Sequence, residues 1–261
     1  PAPRPGAWRL LALLAALGGA PGFGPSFGAT AWPHGVPRRA AGALMRRDAQ
    51  LRRASALLGG EVAMTVDGLV AWLADNADPR HPLPDAYLRG NAELALRARD
   101  EIPAAALVPQ DIFLRYVLPA RQLDEPVEDW RPSLFQALKQ RAAAATTLRG
   151  AAEAVLPRVW TDLRQAVLGL EGFSVEGHVT FKPNCTPEIM APVSGTLRHG
   201  HASCSGCAIL AAAALRAVGV PARVVGVPQW SREEGGNHNW VEVWTGEDWQ
   251  FIDGSPAEKV E

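Results

Sequence analysis

A chain of 261 residues can bury a sizeable core, as one large domain or two modest ones. Lys and Arg number 26 against 27 Asp and Glu, a formal charge of −1, which excludes a global field able to gather nucleic acid or an anionic membrane surface. With 48% hydrophobic and 20% charged residues the composition is that of a folded globular protein, and three cysteines exclude a dense disulfide scaffold.

The first segment, residues 1–38, reads as a leader and linker. Arg4 and Arg9 precede an apolar run from Leu10 to Leu17 and then Gly18-Gly19-Ala20, a pattern shared by secretory signals and by plain apolar helices. The run is too short for a stable membrane span, and localisation stays open. Residues 21–37 mix Gly, Pro and Ser without a period. Residues 39–170 carry apolar residues at helical spacing, over Ala40–Leu58, Val66–Asn76, Pro84–Asp100 and Ser133–Leu168, so a mainly α-helical region is expected. Asp85 and Ser133 are the expected helix caps.

From residue 171 to 261 the pattern is α+β. A strand is expected near His178–Phe181, a loop through Pro183–Gly200, a helix from Cys204 to Val218, and strands at Arg223–Val227, His238–Trp244 and Trp249–Asp253. The helix-forming run Ala211–Leu215 ends at Gly219-Val220-Pro221, so Cys204 falls at the helix N-terminus. There the unpaired N–H groups and the positive end of the dipole favour a thiolate and can stabilise an oxyanion. The small residues Ala208 and Ala211–Ala214 would let this helix lie close to a sheet.

In the strand starting at His238, the two-residue period puts His238, Trp240, Glu242 and Trp244 on one face, with Val241 and Val243 on the other. Thr245–Asp248 reads as a hairpin loop. Pairing Trp244 with Trp249 sets Asp253 opposite Trp240 and diagonal to His238, at a backbone separation of roughly 7–8 Å that Asp and His side chains can span. The carboxylate can then fix the imidazole tautomer.

Cys204-Ser-Gly-Cys-Ala-Ile-Leu, then Leu215-Arg216-Ala-Val-Gly219-Val-Pro221-Ala-Arg223, His238-Asn-Trp-Val-Glu-Val-Trp and Trp249-Gln-Phe-Ile-Asp253 together resemble the transglutaminase-like superfamily core. The resemblance covers about a fifth of the chain, Cys204 to Asp253, and Asp111–Pro119 with Glu125 and Trp130-Arg131 resembles the leader region of bacterial and algal members. It implies a papain-like α+β fold, a central helix against an antiparallel sheet, with Cys204 as nucleophile, His238 as base and Asp253 as orienting acid. In that family the nucleophile lies twelve residues before the Arg of the Leu-Arg-Ala stretch, an offset that Cys204 satisfies and Cys207 does not. The chemistry implied is acyl transfer from an amide or peptide carbonyl through a thioester, with hydrolysis or cross-linking as the outcome. The partner implied is a protein or peptide substrate, with no nucleic acid, metal or organic cofactor. Trp230, Trp240 and His201 are candidate substrate-groove residues. The family's upstream oxyanion donor has three candidates here, Trp160, Asn184 and His201. Family cores continue with further strands, so residues 171–261 are expected to be a truncated core or one with a small sheet.

Other readings compete. Cys204-x-x-Cys207 is also the spacing of a redox pair or, with His199 and His201, of part of a zinc site. A peptide-binding scaffold of the same fold without turnover is a third. Cys207 reads as a packing residue, Cys185 as an isolated thiol, Arg216 as the partner of an acid and Arg223 as the end of a turn.

Overall fold

A computed structural model describes residues 62–78, 82–183, 189–229 and 236–252. The expected leader, the helix at Ala40–Leu58, Asn184, Cys185, Trp230 and Asp253 lie outside the described residues. Among the described residues, those from 63 to 226 with 239–252 form one compact unit, and Val62, 227–229 and 236–238 group separately.

The larger unit begins with helices α1 (Val66–Asn76), α2 (Asp85–Glu101), α3 (Pro103–Ala106) and α4 (Gln110–Tyr116). Thr65 caps α1 by accepting a hydrogen bond from the Gly68 N–H at 3.2 Å. Asp85 is the first residue of α2 rather than its cap, because Pro84 takes the N-cap position. Leu88, Ala92, Ala95 and Ala98 form the buried stripe of α2 at helical spacing.

The single helical pattern expected over Ser133–Leu168 is three helices, α5 (Arg131–Ala143), α6 (Leu148–Val159) and α7 (Leu163–Leu170). Ser133 is interior to α5, which starts two residues earlier with Pro132 in its first turn. Thr147 interrupts the pattern by turning its hydroxyl onto the Gly150 N–H at 3.0 Å, which starts α6 afresh. The second break follows Pro157, where the Thr161 hydroxyl donates to the Pro157 carbonyl at 3.0 Å.

Next come strand β1 (Thr180–Phe181), helix α8 (Val193–His199), strand β2 (His201–Ala202) and helix α9 (Cys204–Ala217). The loop expected through Pro183–Gly200 thus contains a helix. Val193, Gly195 and Thr196 have weak helix propensity, and the seven-residue α8 is held by packing on α7 and α9. Gly200 ends it in the left-handed region at φ 71°. β1 and β2 pair in parallel, Thr180 with His201 and Phe181 with Ala202.

α9 is the centre of the unit. Every residue from Ser205 to Ala217 is buried, and the helix packs against α2, α5, α6 and α8. Its small side chains allow this close approach to the neighbouring helices. It ends in a Schellman motif: the Gly219 N–H donates to the Arg216 carbonyl at 3.1 Å and the Val220 N–H to the Leu215 carbonyl at 3.0 Å.

The last three strands, β3 (Ala222–Val227), β4 (His238–Trp244) and β5 (Trp249–Ile252), form a sheet in that order. β4 and β5 are antiparallel, with Trp244 opposite Trp249 and Val241 opposite Ile252, which is the expected register. The chain is α+β, with an antiparallel three-stranded sheet beside a mainly helical body.

Candidate functional site at the start of the central helix

Cys204 is the first residue of α9, and the local chain explains why the helix starts there. The Ser203 carbonyl accepts the first helical bond from the Cys207 N–H at 2.8 Å, and its hydroxyl accepts from the Gly206 N–H at 3.3 Å. That hydroxyl in turn donates to the Ile189 carbonyl at 2.6 Å, tying the cap to the preceding turn. Position 206 has no room for a side chain, since a Cβ there would lie 2.8 Å from the Ala202 Cβ.

The two thiols of the helix differ. Cys204 is half-buried, whereas Cys207 is fully buried and its thiol donates to the Ala202 carbonyl at 3.6 Å; neither is in a disulfide. A partly exposed thiol at N1 of a fourteen-residue helix meets the positive end of the dipole, while one a turn further in is screened by packing.

His201 is half-buried on β2, three residues before Cys204, and its ring centroid is 5.9 Å from that of His199. Among the described residues no three His, Cys, Asp or Glu side chains converge as metal ligands, so Cys204, Cys207, His199 and His201 do not form a zinc cage. Trp160 ends α6 as its C-cap.

His238 is the first residue of β4 and is half-buried. Asn239, next to it, is buried and donates from Nδ2 to the Ser205 Oγ at 2.7 Å. This bond joins the start of β4 to the first turn of α9. Nothing in either local sequence pairs Asn239 with Ser205; the clue available was that each follows a candidate catalytic residue by one position.

From Asn239 to Val243 β4 is buried on both faces. Trp240 is 5% exposed and its ring lies 5.9 Å from that of Phe251. Glu242 accepts from Arg223 Nε at 2.9 Å and Nη2 at 2.7 Å, and the Arg223 guanidinium lies 4.2 Å above the Trp249 ring. Arg223 is therefore a strand residue bridging β3 to β4 and β5 rather than the end of a turn. Arg216 is fully committed as well, but to oxygens that carry no charge. It donates to the carbonyls of Ala222 and Arg121 and to the Gln122 side-chain oxygen at 2.8–3.0 Å, and among the described residues no acid pairs with it directly. Burial pushes its guanidinium down to about 10, against the opposing pull of Glu125.

A cavity of about 160 Å³ lies elsewhere, between α1, α2 and the segment after α4, lined by Trp72, Leu73, Tyr87, Leu88, Pro119 and Arg121 among others. It shares no residue with the start of α9. Among the described residues no helix is long and apolar enough to cross a membrane.

No curated protein and no solved structure matches the chain. Residues 165–254, the α+β segment from α7 through the β4–β5 hairpin, match the family model of the transglutaminase-like superfamily, and the mixed helix and antiparallel sheet are consistent with such a core.

Proposed function

We propose that the protein is a thiol-dependent acyl-transfer enzyme acting on amide or peptide carbonyls, with Cys204 as nucleophile, His238 as general base and Asp253 as the acid that orients it. The observation that carries the reading is the half-exposed Cys204 at the first position of a Ser-capped helix inside a transglutaminase-like core. Two others support it. The hydrogen bond between Asn239 and Ser205, the residues that follow His238 and Cys204, favours pairing the base with the thiol. The β4–β5 register, with Trp244 opposite Trp249 and Val241 opposite Ile252, is the one on which the sequence pairs Asp253 with His238.

In this mechanism His238 takes the Cys204 proton and the thiolate attacks the carbonyl carbon, forming a C–S bond and an oxyanion. The N–H groups of Cys204 and Ser205, ahead of those held by Ser203, stabilise that oxyanion. Collapse breaks the C–N bond, the imidazolium protonates the leaving amine, and a thioester remains. Water, deprotonated by His238, attacks the thioester and releases the carboxylic acid and the thiolate, so the enzyme is an amidase or peptidase; a lysine-like amine in place of water gives a cross-link. His201 and Trp230 are the proposed contacts for a protein or peptide substrate.

The test is alkylation by a peptide-like electrophile, located by mass spectrometry of the digested protein. Cys204 is expected to take the label, with a rate lowered roughly 10²- to 10⁴-fold in His238→Ala, the range of a lost general base. Label confined to Cys185 or Cys207 and indifferent to His238→Ala would sink the assignment. A reversible Cys204–Cys207 disulfide under mild oxidant, without turnover, would indicate the redox reading instead. Peptide affinity that survives Cys204→Ser, with no turnover in either protein, would indicate a binding scaffold.

A further inference from the structure

We infer that Asn239 and Ser205 act as positioning residues for the acyl-transfer site, an inference that rests on the functional reading above. The two side chains are 34 positions apart in sequence, are 7% and 5% exposed, and meet in a hydrogen bond of 2.7 Å from Asn239 Nδ2 to Ser205 Oγ. Each sits one residue after a member of the proposed dyad. Ser205 is the second residue of α9 and Asn239 the second of β4, so the bond fixes the relative height of the two elements at the point where thiol and imidazole leave them.

The choice of residue type carries the argument. A buried amide is stabilised only where its polar atoms are matched, and an apolar pair would hold helix and strand together without prescribing a distance. A single directional bond prescribes that distance to a few tenths of an ångström. The alternation of β4 sends Asn239 to the face opposite His238. Asn239 can therefore hold the backbone of the strand without competing for the space of the base, and it touches no reacting atom.

The sequence Ser203-Cys204-Ser205 divides the labour: Ser203 fixes where the helix starts, through Gly206 and Ile189, and Ser205 fixes where the strand meets it. Displacement by about 1 Å at such a contact costs on the order of a hundredfold in rate when nucleophile and base must be aligned.

The experiment compares the second-order rate of Cys204 alkylation by iodoacetamide in the full chain, in Ser205→Ala, Asn239→Ala, His238→Ala and the combined variants. Ser205→Ala removes one oxygen and leaves the helix intact, with far-ultraviolet circular dichroism as the control. Each single variant is expected to lower the rate about ten- to a hundredfold. In either background His238→Ala should have little further effect, because the base is already out of place. Ser205→Thr, which keeps the hydroxyl, should restore most of the rate and the His238 dependence. A wild-type rate that depends on His238, together with Ser205→Ala and Asn239→Ala rates that are unchanged and equally His238-dependent, overturns the positioning role while leaving acyl transfer standing. A wild-type rate indifferent to His238→Ala overturns both. A lowered melting temperature with unchanged labelling assigns the bond to stability alone and also overturns the inference.

Discussion

Arg223 on β3 places both Nε and Nη2 on a single carboxylate oxygen of Glu242 on β4, at 2.9 and 2.7 Å, with side chains only 14% and 7% exposed. The guanidinium is also stacked over Trp249, whose ring meets Tyr116 edge-on at 4.5 Å. Glu242 shares the strand face of His238 by alternation, but its carboxylate is spent on holding three strands together. Glu242→Gln leaves a largely buried guanidinium without its anion and is expected to destabilise by about 2–4 kcal/mol, whereas Arg223→Met with Glu242→Leu should recover much of that loss. Urea unfolding of Arg223→Met, Glu242→Leu and the double variant measures the coupling; additive losses would refute the pair as the stabilising unit.

Arg131 is another buried cation, 1% exposed, and among the described residues its hydrogen bonds go to uncharged oxygens. It donates to Asn91 Oδ1 and to the carbonyls of Val117 and Arg216, all at 2.8 Å, linking α5 to α2, to the end of α4 and to the last turn of α9. Burial pushes its guanidinium down to about 9, still cationic at neutral pH. Arg131→Met strands those acceptors in the core and should cost about 3–5 kcal/mol. Arg131→Lys should recover little, because an ammonium cannot reach carbonyls arranged for a planar fork. Thermal unfolding checks this, and a Lys variant as stable as the wild type would contradict it.

What could be read in advance followed local rules. The Ser203-Cys204 helix start, the Gly219-Val220-Pro221 stop and the Trp244–Trp249 register each depend on residues within a few positions of one another. Helix α8 could not be read because Val193, Gly195 and Thr196 form a helix only where α7 and α9 support it. The breaks within Ser133–Leu168 were hidden because Thr147 and Thr161 act through hydroxyl bonds that periodicity does not register. Arg223 looked like a turn residue because its partners, Glu242 and Trp249, lie about twenty positions away or more. The position of Cys204 at the start of α9 was legible from the helix pattern; the Asn239–Ser205 bond was not, since a bond across 34 positions leaves no local trace.

Gly219 should be among the least replaceable residues outside the site. Its φ of 78° is left-handed, and a Cβ there would stand 2.5 Å from the Ala105 Cβ of α3. Gly219→Ala adds roughly 1–2 kcal/mol of backbone strain to about 1–3 kcal/mol of overpacking. Chemical unfolding of this variant measures the sum, and a loss under about 1 kcal/mol would show that α3 yields freely.

Tyr87 on α2 predicts an alkaline limit to stability. Its hydroxyl donates to the Glu128 carbonyl at 3.2 Å, and burial, reinforced by Asp129 and Glu128 and opposed by Arg131 and Arg121, pushes the phenol up from 10 to about 12. The folded value lies above the unfolded one, so the stabilisation of the neutral phenol is complete below pH 10 and is lost as the pH rises through about 12. A two-unit shift corresponds to about 2.7 kcal/mol, which solvent screening of this half-buried group reduces to about 1–2 kcal/mol. Tyr87→Phe removes the titration and also the hydrogen bond, worth about 1 kcal/mol. The variant is therefore expected to be less stable than wild type at neutral pH and to close that gap between pH 10 and about 12. Urea midpoints of the two proteins across this range decide it: a constant difference would mean that the phenol ionises alike in the folded and unfolded chains.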